Sequence, residues 1–251
     1  MDLTPVVPAE LSDVAIRRGS LEVKYDGVVR RLDLSDLVVL SSKRMGLTRT
    51  STSYKDKPNY SGYYWAATTG RHHWFESLYE KLAITALDRD PLVTGIATQP
   101  FGIFWSSPKK THFPDILVER ADGSRAVIDV RPRERIREED AATFARTSAL
   151  CSVLEVDYRL FSDLSRVEEL NLRFLGGYRY ERWACPATIA AVLAAHVGEV
   201  RTLEDWLPEF EGTAIPARGL LLAAIWHGAI DVDLSVRLEM DRDGVCTGRS
   251  W

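Results

Sequence analysis

The sequence predicts an α/β protein in which a mixed central sheet is flanked by helices. Three observations support this prediction: a short hairpin pattern opens the chain, helical and strand patterns alternate through its middle, and helical segments followed by strand-like residues close it. The 251 residues suffice for one core domain with smaller additions. We divide them into an N-terminal hairpin-containing arm over residues 1–58, a core over residues 59–180 and a C-terminal domain over residues 181–251.

The N-terminal arm contains one clear hairpin signal. Residues 21–34 form two alternating runs around Asp26 and Gly27, a dipeptide that favours a two-residue hairpin turn. Residues 43–70 show little periodicity, which predicts an extended loop. Basic and aromatic residues are interleaved there, a composition that suits phosphate and base contacts, although a solvated loop explains it equally well. The basic residues assigned to DNA binding in and next to this stretch are Lys43, Arg44, Lys55, Lys57 and Arg71.

The core is predicted to run helix, strand, strand, strand, helix, strand. Apolar residues at helical spacing predict a helix over residues 72–91, and β-branched and aromatic residues predict a strand with a bend over residues 93–105. Further strands over residues 112–119 and 125–131 flank a second Asp-Gly turn. The last predicted elements are a helix over 134–156, a strand over 158–162 and a helix over 165–180. This order is typical of restriction-endonuclease-like folds, although many α/β domains share it.

Two aspartates interrupt the apolar pattern of the hairpin around residues 122–123. Antiparallel pairing places Asp115 and Asp129 side by side, which destabilises a sheet unless a cation lies between the two charges. Carboxylates bind Mg²⁺, which activates water and neutralises charge on a phosphoryl group. Glu76, on the preceding helix, supplies a third oxygen ligand in this interpretation, and Arg131 points to the same phosphate. The structural alternative is an ion pair between Arg131 and either aspartate.

Three motifs resemble the PD-(D/E)xK nuclease core: "FES" at 75–77, "FPD" at 113–115 and "IDVRP" at 128–132. The wider run over about residues 55–180 resembles actinobacterial TnsA-like transposase endonuclease subunits. The resemblance implies a DNA endonuclease that depends on Mg²⁺ or Mn²⁺ and cleaves at the 5′ ends of a mobile element. The site residues that it implies are Glu76, Asp115 and Asp129 as acids and metal ligands, the carbonyl of Val130 as a further ligand, and Gln99 near the site.

Arginine at position 131 departs from the lysine that is usual in this family. An arginine keeps its proton in a protein, so Arg131 can stabilise a phosphate but cannot act as a general base. Lys109, Lys110 and His112 are candidates to substitute for the lysine, and the two lysines are also assigned to DNA binding. Two other functions therefore stay open: a catalytically weak nuclease-fold adaptor that binds DNA, and a stand-alone defence nuclease.

The C-terminal domain is predicted to be winged-helix-like. Helices are expected over residues 185–198, 201–210 and 215–230, followed by alternating strand residues. The third helix offers only Arg218 and His227 to DNA, and residues from 181 onward contain eleven acids against six arginines. This balance favours a protein partner. The family resemblance implies double-stranded transposon ends, a TnsB-like transposase and a TnsC-like ATPase as partners.

Composition predicts a cytoplasmic protein without a membrane partner. The cysteines Cys151, Cys185 and Cys246 have no metal-ligand spacing, and their odd number does not form a disulfide framework. No stretch approaches the ~18 apolar residues of a membrane span, and the N-terminus lacks a signal-peptide pattern. The formal net charge of −4 argues against an indiscriminate nucleic-acid coat.

Overall fold

The computed structural model combines helices and strands and describes residues 3–9, 18–49, 60–106, 108–183 and 185–249. The described strands are β1 (Thr4–Pro5), β2 (Gly19–Tyr25), β3 (Val28–Asp33), β4 (Met45–Gly46), β5 (Gly62–Ala66), β6 (Arg71–Phe75), β7 (Val93–Thr98), β8 (Phe101–Ser106), β9 (Lys109–His112), β10 (Ile116–Arg120), β11 (Arg125–Val130), β12 (Asp157–Phe161), β13 (Val200–Thr202), β14 (Ile230–Asp231) and β15 (Asp243–Cys246). The described α-helices are α1 (Leu78–Arg89), α2 (Glu138–Val153), α3 (Arg166–Leu175), α4 (Pro186–Leu193), α5 (Leu203–Trp206) and α6 (Ala217–Trp226). The predicted mixed α/β class is confirmed.

The chain divides into two compact units. Described residues within Met1–Ile84 and Leu92–Asp163 form the first unit, and those within Thr85–Pro91 and Leu164–Trp251 form the second. The three-part division of the chain at residues 58 and 180 stays a prediction.

A mixed sheet with the order β1-β12-β11-β10-β7 lies in the first unit. β10 pairs antiparallel with both β7 and β11, whereas β11 and β12 are parallel and are joined through α2. Parallel neighbours require such a crossover connection. Leu117 and Val127 of this sheet are fully buried and belong to the hydrophobic core of the unit.

The N-terminal hairpin is confirmed as β2 and β3. Asp26 and Gly27 both have positive φ, 50° and 80°, as the tight turn between two strands requires. β2 buries Leu21 and Val23 and pairs with β8, so the hairpin is part of a second sheet with the order β3-β2-β8-β9, to which β4 adds beside β2.

The helix predicted over residues 72–91 is wrong in its first part. Arg71–Phe75 form β6, which pairs with β5, and α1 begins only at Leu78. Within β6 the side chains alternate between buried His73 and Phe75 and the more exposed His72 and Trp74, a period of two that strands produce. The extended loop predicted over residues 43–70 is also wrong in part, because β4 and β5 lie in it.

The bend predicted within residues 93–105 separates two strands of different sheets. β7 belongs to the mixed sheet and β8 to the second sheet, and Gln99 and Pro100 connect them. Gln99 has a φ of 44°, a left-handed conformation that costs a non-glycine residue roughly 1–3 kcal/mol. The surrounding structure must therefore hold this corner in place.

The hairpin predicted around Asp122 and Gly123 is confirmed as β10 and β11. Gly123 has a φ of 83°, and Asp122 Oδ1 accepts a hydrogen bond of 2.8 Å from the N–H of Ser124. The first strand is shorter than the predicted 112–119, because β9 ends at His112 and β10 begins at Ile116.

The second unit combines helices with a small sheet of the order β13-β15-β14. α6 is buried from Gly219 to Trp226 within a hydrophobic cluster of this unit. The Nε1–H of Trp206 donates to the carbonyl of Gly244 at 3.0 Å, which ties α5 to β15. The helices predicted here are confirmed with shorter ends, whereas the predicted run of strand residues after them forms only β14 and β15.

Two further predictions concern the chemistry of the whole chain. The three cysteines are free, as their number and spacing indicate. In the part of the chain that the structure describes, no helix has both the length and the apolar character needed to cross a bilayer.

Candidate active site

The open end of the β10–β11 hairpin places two aspartates side by side. Ile116 pairs with Ile128, so Asp115 and Asp129 follow in opposed positions at the end of the ladder. Asp115 Oδ2 accepts a hydrogen bond of 2.7 Å from the N–H of Val130. The juxtaposition agrees with the register that the sequence predicts.

Asp115 lies among other carboxylates. Burial raises the pKa of Asp115 well above its ordinary value, and the charges of Asp129 and Glu80 raise it further. The N–H of Val130 and the charge of Arg131 act in the opposite direction. A divalent cation would relieve the crowding of negative charge around Asp115.

Asp129 is 2% exposed and contacts two polar side chains. Its Oδ2 atom accepts hydrogen bonds from His112 Nε2, at 2.8 Å, and from the hydroxyl of Tyr158. Burial and the negative charge of Asp129 raise the pKa of Tyr158, so the hydroxyl keeps its proton and donates it. Sequence reasoning missed Tyr158, because β12 reaches β11 only through the crossover helix.

Glu76 lies between β6 and α1 and not on the helix, where it was predicted. Its backbone N–H donates to Glu80 Oε2 at 2.8 Å, and the N–H of Glu80 donates to Ser77 Oγ at 3.1 Å. The Oε1 atom of Glu76 is shielded from solvent. Glu80, which acts electrostatically on Asp115, was missed as a site residue. The spacing of Ser77 and Glu80 is a helix-capping signal that predicts the start of α1. This signal could have placed Glu76 before the helix and Glu80 in its first turn.

Gln99 joins the site to the second sheet through its backbone. Its N–H donates to the carbonyl of Asp115 at 2.7 Å, and its carbonyl accepts from the N–H of Thr48 at 3.1 Å. The side chain is buried, and its Oε1 atom has no hydrogen-bond partner among the described residues. Gln99 thus lies next to Asp115, in the neighbourhood where the sequence resemblance predicts it.

Arg131 pairs with a different acid from those expected. Its Nη2 atom lies 3.1 Å from Asp140 Oδ1 at the start of α2, and its side chain is 45% exposed. Within the described residues, the predicted alternative of an ion pair with Asp115 or Asp129 is therefore wrong. The charge of Arg131 still lowers the pKa of Asp115, so the guanidinium lies within electrostatic reach of the site.

The site offers few protein ligands to a metal ion. Among the described residues, no three side chains of His, Cys, Asp or Glu are close enough together to hold a metal. Glu76, Asp115 and Asp129 thus do not meet as a triad. Mg²⁺ keeps several waters and binds proteins through one or two carboxylates rather than in a closed cage. Asp115, with the neighbouring peptide of Val130, is compatible with this kind of binding.

The predicted DNA-binding residues on β9 lie beside the site. Lys109 and Lys110 are exposed, and Lys110 shares a strand face with His112, because side chains alternate along a strand. His112 contacts Asp129, so the strand face that carries Lys110 is the one next to the site.

The other predicted DNA-binding residues lie apart from β9 in the sequence. Arg44 forms an ion pair with Asp26 and stacks 4.5 Å from the ring centroid of Tyr25, so its charge is partly neutralised. Arg71 Nη1 donates to the carbonyl of Lys43 at 2.7 Å, and both residues are exposed. Lys55 and Lys57 lie outside the described residues.

This arrangement can hold a hydrated cation against Asp115 and can place exposed positive side chains near a bound anion. Such a combination suits chemistry on a phosphodiester. No protein-family model matches the chain, and no curated protein matches it either.

Proposed function

We propose that the chain is a divalent-metal-dependent DNA endonuclease subunit of a TnsA-like heteromeric transposase. It would cleave at the 5′ ends of a mobile element by hydrolysis of a phosphodiester bond. The observation that carries the proposal is the placement of Asp115 beside Asp129 at the open end of the β10–β11 hairpin, in a position where burial and then the neighbouring carboxylates raise the pKa of Asp115.

The order of the secondary-structure elements supports a restriction-endonuclease-like core. α1, β7, β10, β11, α2 and β12 follow each other in the expected order, apart from β8 and β9, which lie in the second sheet. The pairing is antiparallel up to β11 and parallel between β11 and β12. Fold order alone does not establish an activity, so the proposal depends on the acids at the hairpin end.

The residues at the open end of the hairpin have distinct roles in the proposed reaction. Asp115 and the carbonyl of Val130 would hold Mg²⁺ or Mn²⁺, which supplies an activated water and neutralises charge on the phosphate when bound. Asp129, fixed by Tyr158 and His112, adds negative charge at the site. Arg131 would exchange Asp140 for the phosphate, a low-cost exchange since an exposed ion pair contributes at most about 1 kcal/mol.

The second unit supports a winged-helix-like domain that contacts proteins. The order α4, β13, α5, α6, β14, β15 and the antiparallel sheet agree with such a module. α6 is buried along most of its length, so this helix does not offer a free face to a DNA groove. The acidic balance and the buried helix favour TnsB-like or TnsC-like protein partners, with double-stranded transposon ends bound by the first unit.

A second candidate is a catalytically weak nuclease-fold adaptor that binds DNA ends. It is favoured by the contacts of Asp129 with Tyr158 and His112 and by the pairing of Arg131 with Asp140. These contacts stabilise the hairpin end without a metal ion. In this case the site would be a structural remnant that still positions DNA.

Cleavage of labelled duplex DNA distinguishes the two candidates. The full chain is incubated with Mg²⁺ or Mn²⁺, alone and together with the proteins encoded beside it. We expect cutting that Asp115→Ala abolishes and that Asp122→Ala, a matched change at the exposed turn of the same hairpin, retains. If no combination cuts, or if Asp115→Ala cuts like the wild type, the enzymatic proposal fails. Cutting that needs no transposase would favour the stand-alone defence nuclease.

A further inference from the structure

The β5–β6 hairpin carries rings on its outer face. Its register pairs Tyr63 with Trp74 and Trp65 with His72, so these four side chains share one face of the hairpin. Tyr63 is 62% exposed, His72 is exposed, and the two tryptophans are half-buried. The opposite face points into the protein, where it buries Tyr64, Ala66, His73 and Phe75.

The rings on the outer face support each other. The centroid of Tyr63 lies 5.1 Å from Trp74 and 6.5 Å from His72, and both contacts are edge-on. Such contacts restrict the rotamers of an exposed ring before any ligand binds. The ordering cost of stacking a ligand on Tyr63 is therefore low.

The inner face fixes the hairpin in the fold. His73 Nε2 lies 2.7 Å from Thr69 Oγ1 and so joins β6 to the turn that follows β5. Burial and the nearby charges of Arg71 and His72 lower the pKa of His73 to about 4, so it is neutral at physiological pH. The outer rings are thus presented on a hairpin whose other side is packed and hydrogen-bonded.

Exposed cations lie near the turn of this hairpin. Arg71 begins β6 on the same strand face as His73 and Phe75, and its guanidinium donates to the carbonyl of Lys43. In the described ranges, no carboxylate forms an ion pair with either Arg71 or Lys43. Exposed rings on a hairpin with cations near its turn match a nucleic acid strand, whose bases can stack on the rings while its phosphates contact the cations.

We propose that the outer face of the β5–β6 hairpin binds unpaired DNA bases next to the cleavage site. The inference rests on the proposed function, because β6 leads directly into Glu76 and α1, whose Glu80 acts on Asp115. A base inside a duplex has both π-faces covered by its neighbours, so only a frayed, flipped or single-stranded base can stack on Tyr63. The preferred substrate is then DNA that is locally melted near the cut.

Fluorescence anisotropy with a labelled oligothymidine tests the inference. The full chain is titrated in EDTA, so that binding is measured without metal or cleavage. We expect Tyr63→Ala to weaken binding about tenfold and the double change Tyr63→Ala/Trp74→Ala to weaken it further, since each stacked base contributes on the order of tenfold or more. Tyr63→Phe keeps the ring and should bind like the wild type. Phe174→Ala, which removes an exposed ring from the second unit, is the matched control and should change nothing.

Three results would overturn the inference. One is equal affinity of the wild type and Tyr63→Ala, or an absence of binding by the wild type. Another is an equal loss of affinity for the oligothymidine and for a fully paired duplex with closed hairpin ends. The third is a change of sedimentation on Tyr63→Ala without a change of affinity, which would assign the face to a second copy of the chain. Since no step requires cutting, a failure of the nuclease proposal leaves this measurement interpretable.

Discussion

The two ends of the β10–β11 hairpin differ in how the charge of a partly buried carboxylate is compensated. At the turn end, Glu119 accepts hydrogen bonds from the N–H and hydroxyl of Ser42, at 3.0 and 2.8 Å, and pairs with Arg125 at 3.2 Å. At the open end, Asp115 lies near Asp129, and burial together with the negative charge of Asp129 raises the pKa of Asp115. The negative charge at the turn end is therefore compensated by neighbouring side chains, whereas the open end keeps an excess of negative charge. Such an excess is typical of positions that receive a cation or take part in chemistry.

The largest effect on stability is expected at the neutralised end. Glu119→Ala removes the carboxylate partner of Arg125, whose side chain is only 20% exposed. Among the described residues, this leaves the positive charge with the carbonyls of Leu37 and Leu40 alone. We expect a loss of about 3 kcal/mol in the free energy of unfolding, measured by urea denaturation. Glu134→Ala, an exposed acid of the same unit, should change stability by less than about 0.5 kcal/mol. Equal effects of the two changes would contradict the contrast between the hairpin ends.

The next effect is produced by adding a divalent cation. A cation that binds only the folded protein stabilises it by about 2.7 kcal/mol at a hundred times its Kd. We expect Mg²⁺ or Mn²⁺ to raise the Tm of the wild type and to leave the Tm of Asp115→Asn unchanged, each measured against EDTA. Glu119→Ala should keep the upward shift. A shift that survives in Asp115→Asn would show that the cation binds elsewhere.

Without metal, Asp115→Asn should stabilise the protein at neutral pH. The amide removes the repulsion from Asp129 while its oxygen can still accept from Val130, so we expect a gain of about 0.5–1 kcal/mol. Because the folded pKa of Asp115 is raised above its ordinary 3.8, the stability that its proton contributes is present below that pH and is lost as pH rises through the folded pKa. The advantage of Asn should therefore grow as pH is raised from 4 to 8. A difference that stays constant over this range would contradict the assignment.

The smallest effect on stability is expected for Arg131→Ala. The ion pair with Asp140 is exposed, so its loss should cost less than about 1 kcal/mol in urea denaturation. Cleavage should respond much more strongly if Arg131 contacts the phosphate: Arg131→Lys should retain cutting and Arg131→Ala should abolish it. If Arg131→Ala cuts normally, the guanidinium is only a structural counter-ion of α2.

Local turn chemistry made both long hairpins predictable. The Asp26-Gly27 and Asp122-Gly123 pairs set the turn positions, and the alternation of apolar residues then set the register that opposes Asp115 and Asp129. α2 was predictable for a related reason, because periodicity over many residues is a strong signal.

The predictions failed where two patterns overlap or where contacts are distant in sequence. Trp74 and Phe75 fit a helical spacing, but residues 71–75 also alternate with the period of two that is typical of strands. Pairing with β5 stabilises the strand β6 instead of a helix. The contacts of Asp129 could not be predicted either. His112 lies in β9 of the second sheet and Tyr158 lies in β12 of the mixed sheet, and both contact Asp129. No local sequence pattern predicts contacts between residues of different sheets.

The corner at Gln99 makes one backbone amide a reporter of the assembled site. Its N–H is bonded to Asp115, and its carbonyl is bonded to Thr48, some fifty positions earlier in the chain. Neither bond is local, so the corner closes only when these distant segments have packed together, and proteins with many such long-range contacts fold slowly. The Gln99 amide should therefore become protected from hydrogen exchange late in refolding, and its exchange in the native protein reports the openings that break its bond to Asp115.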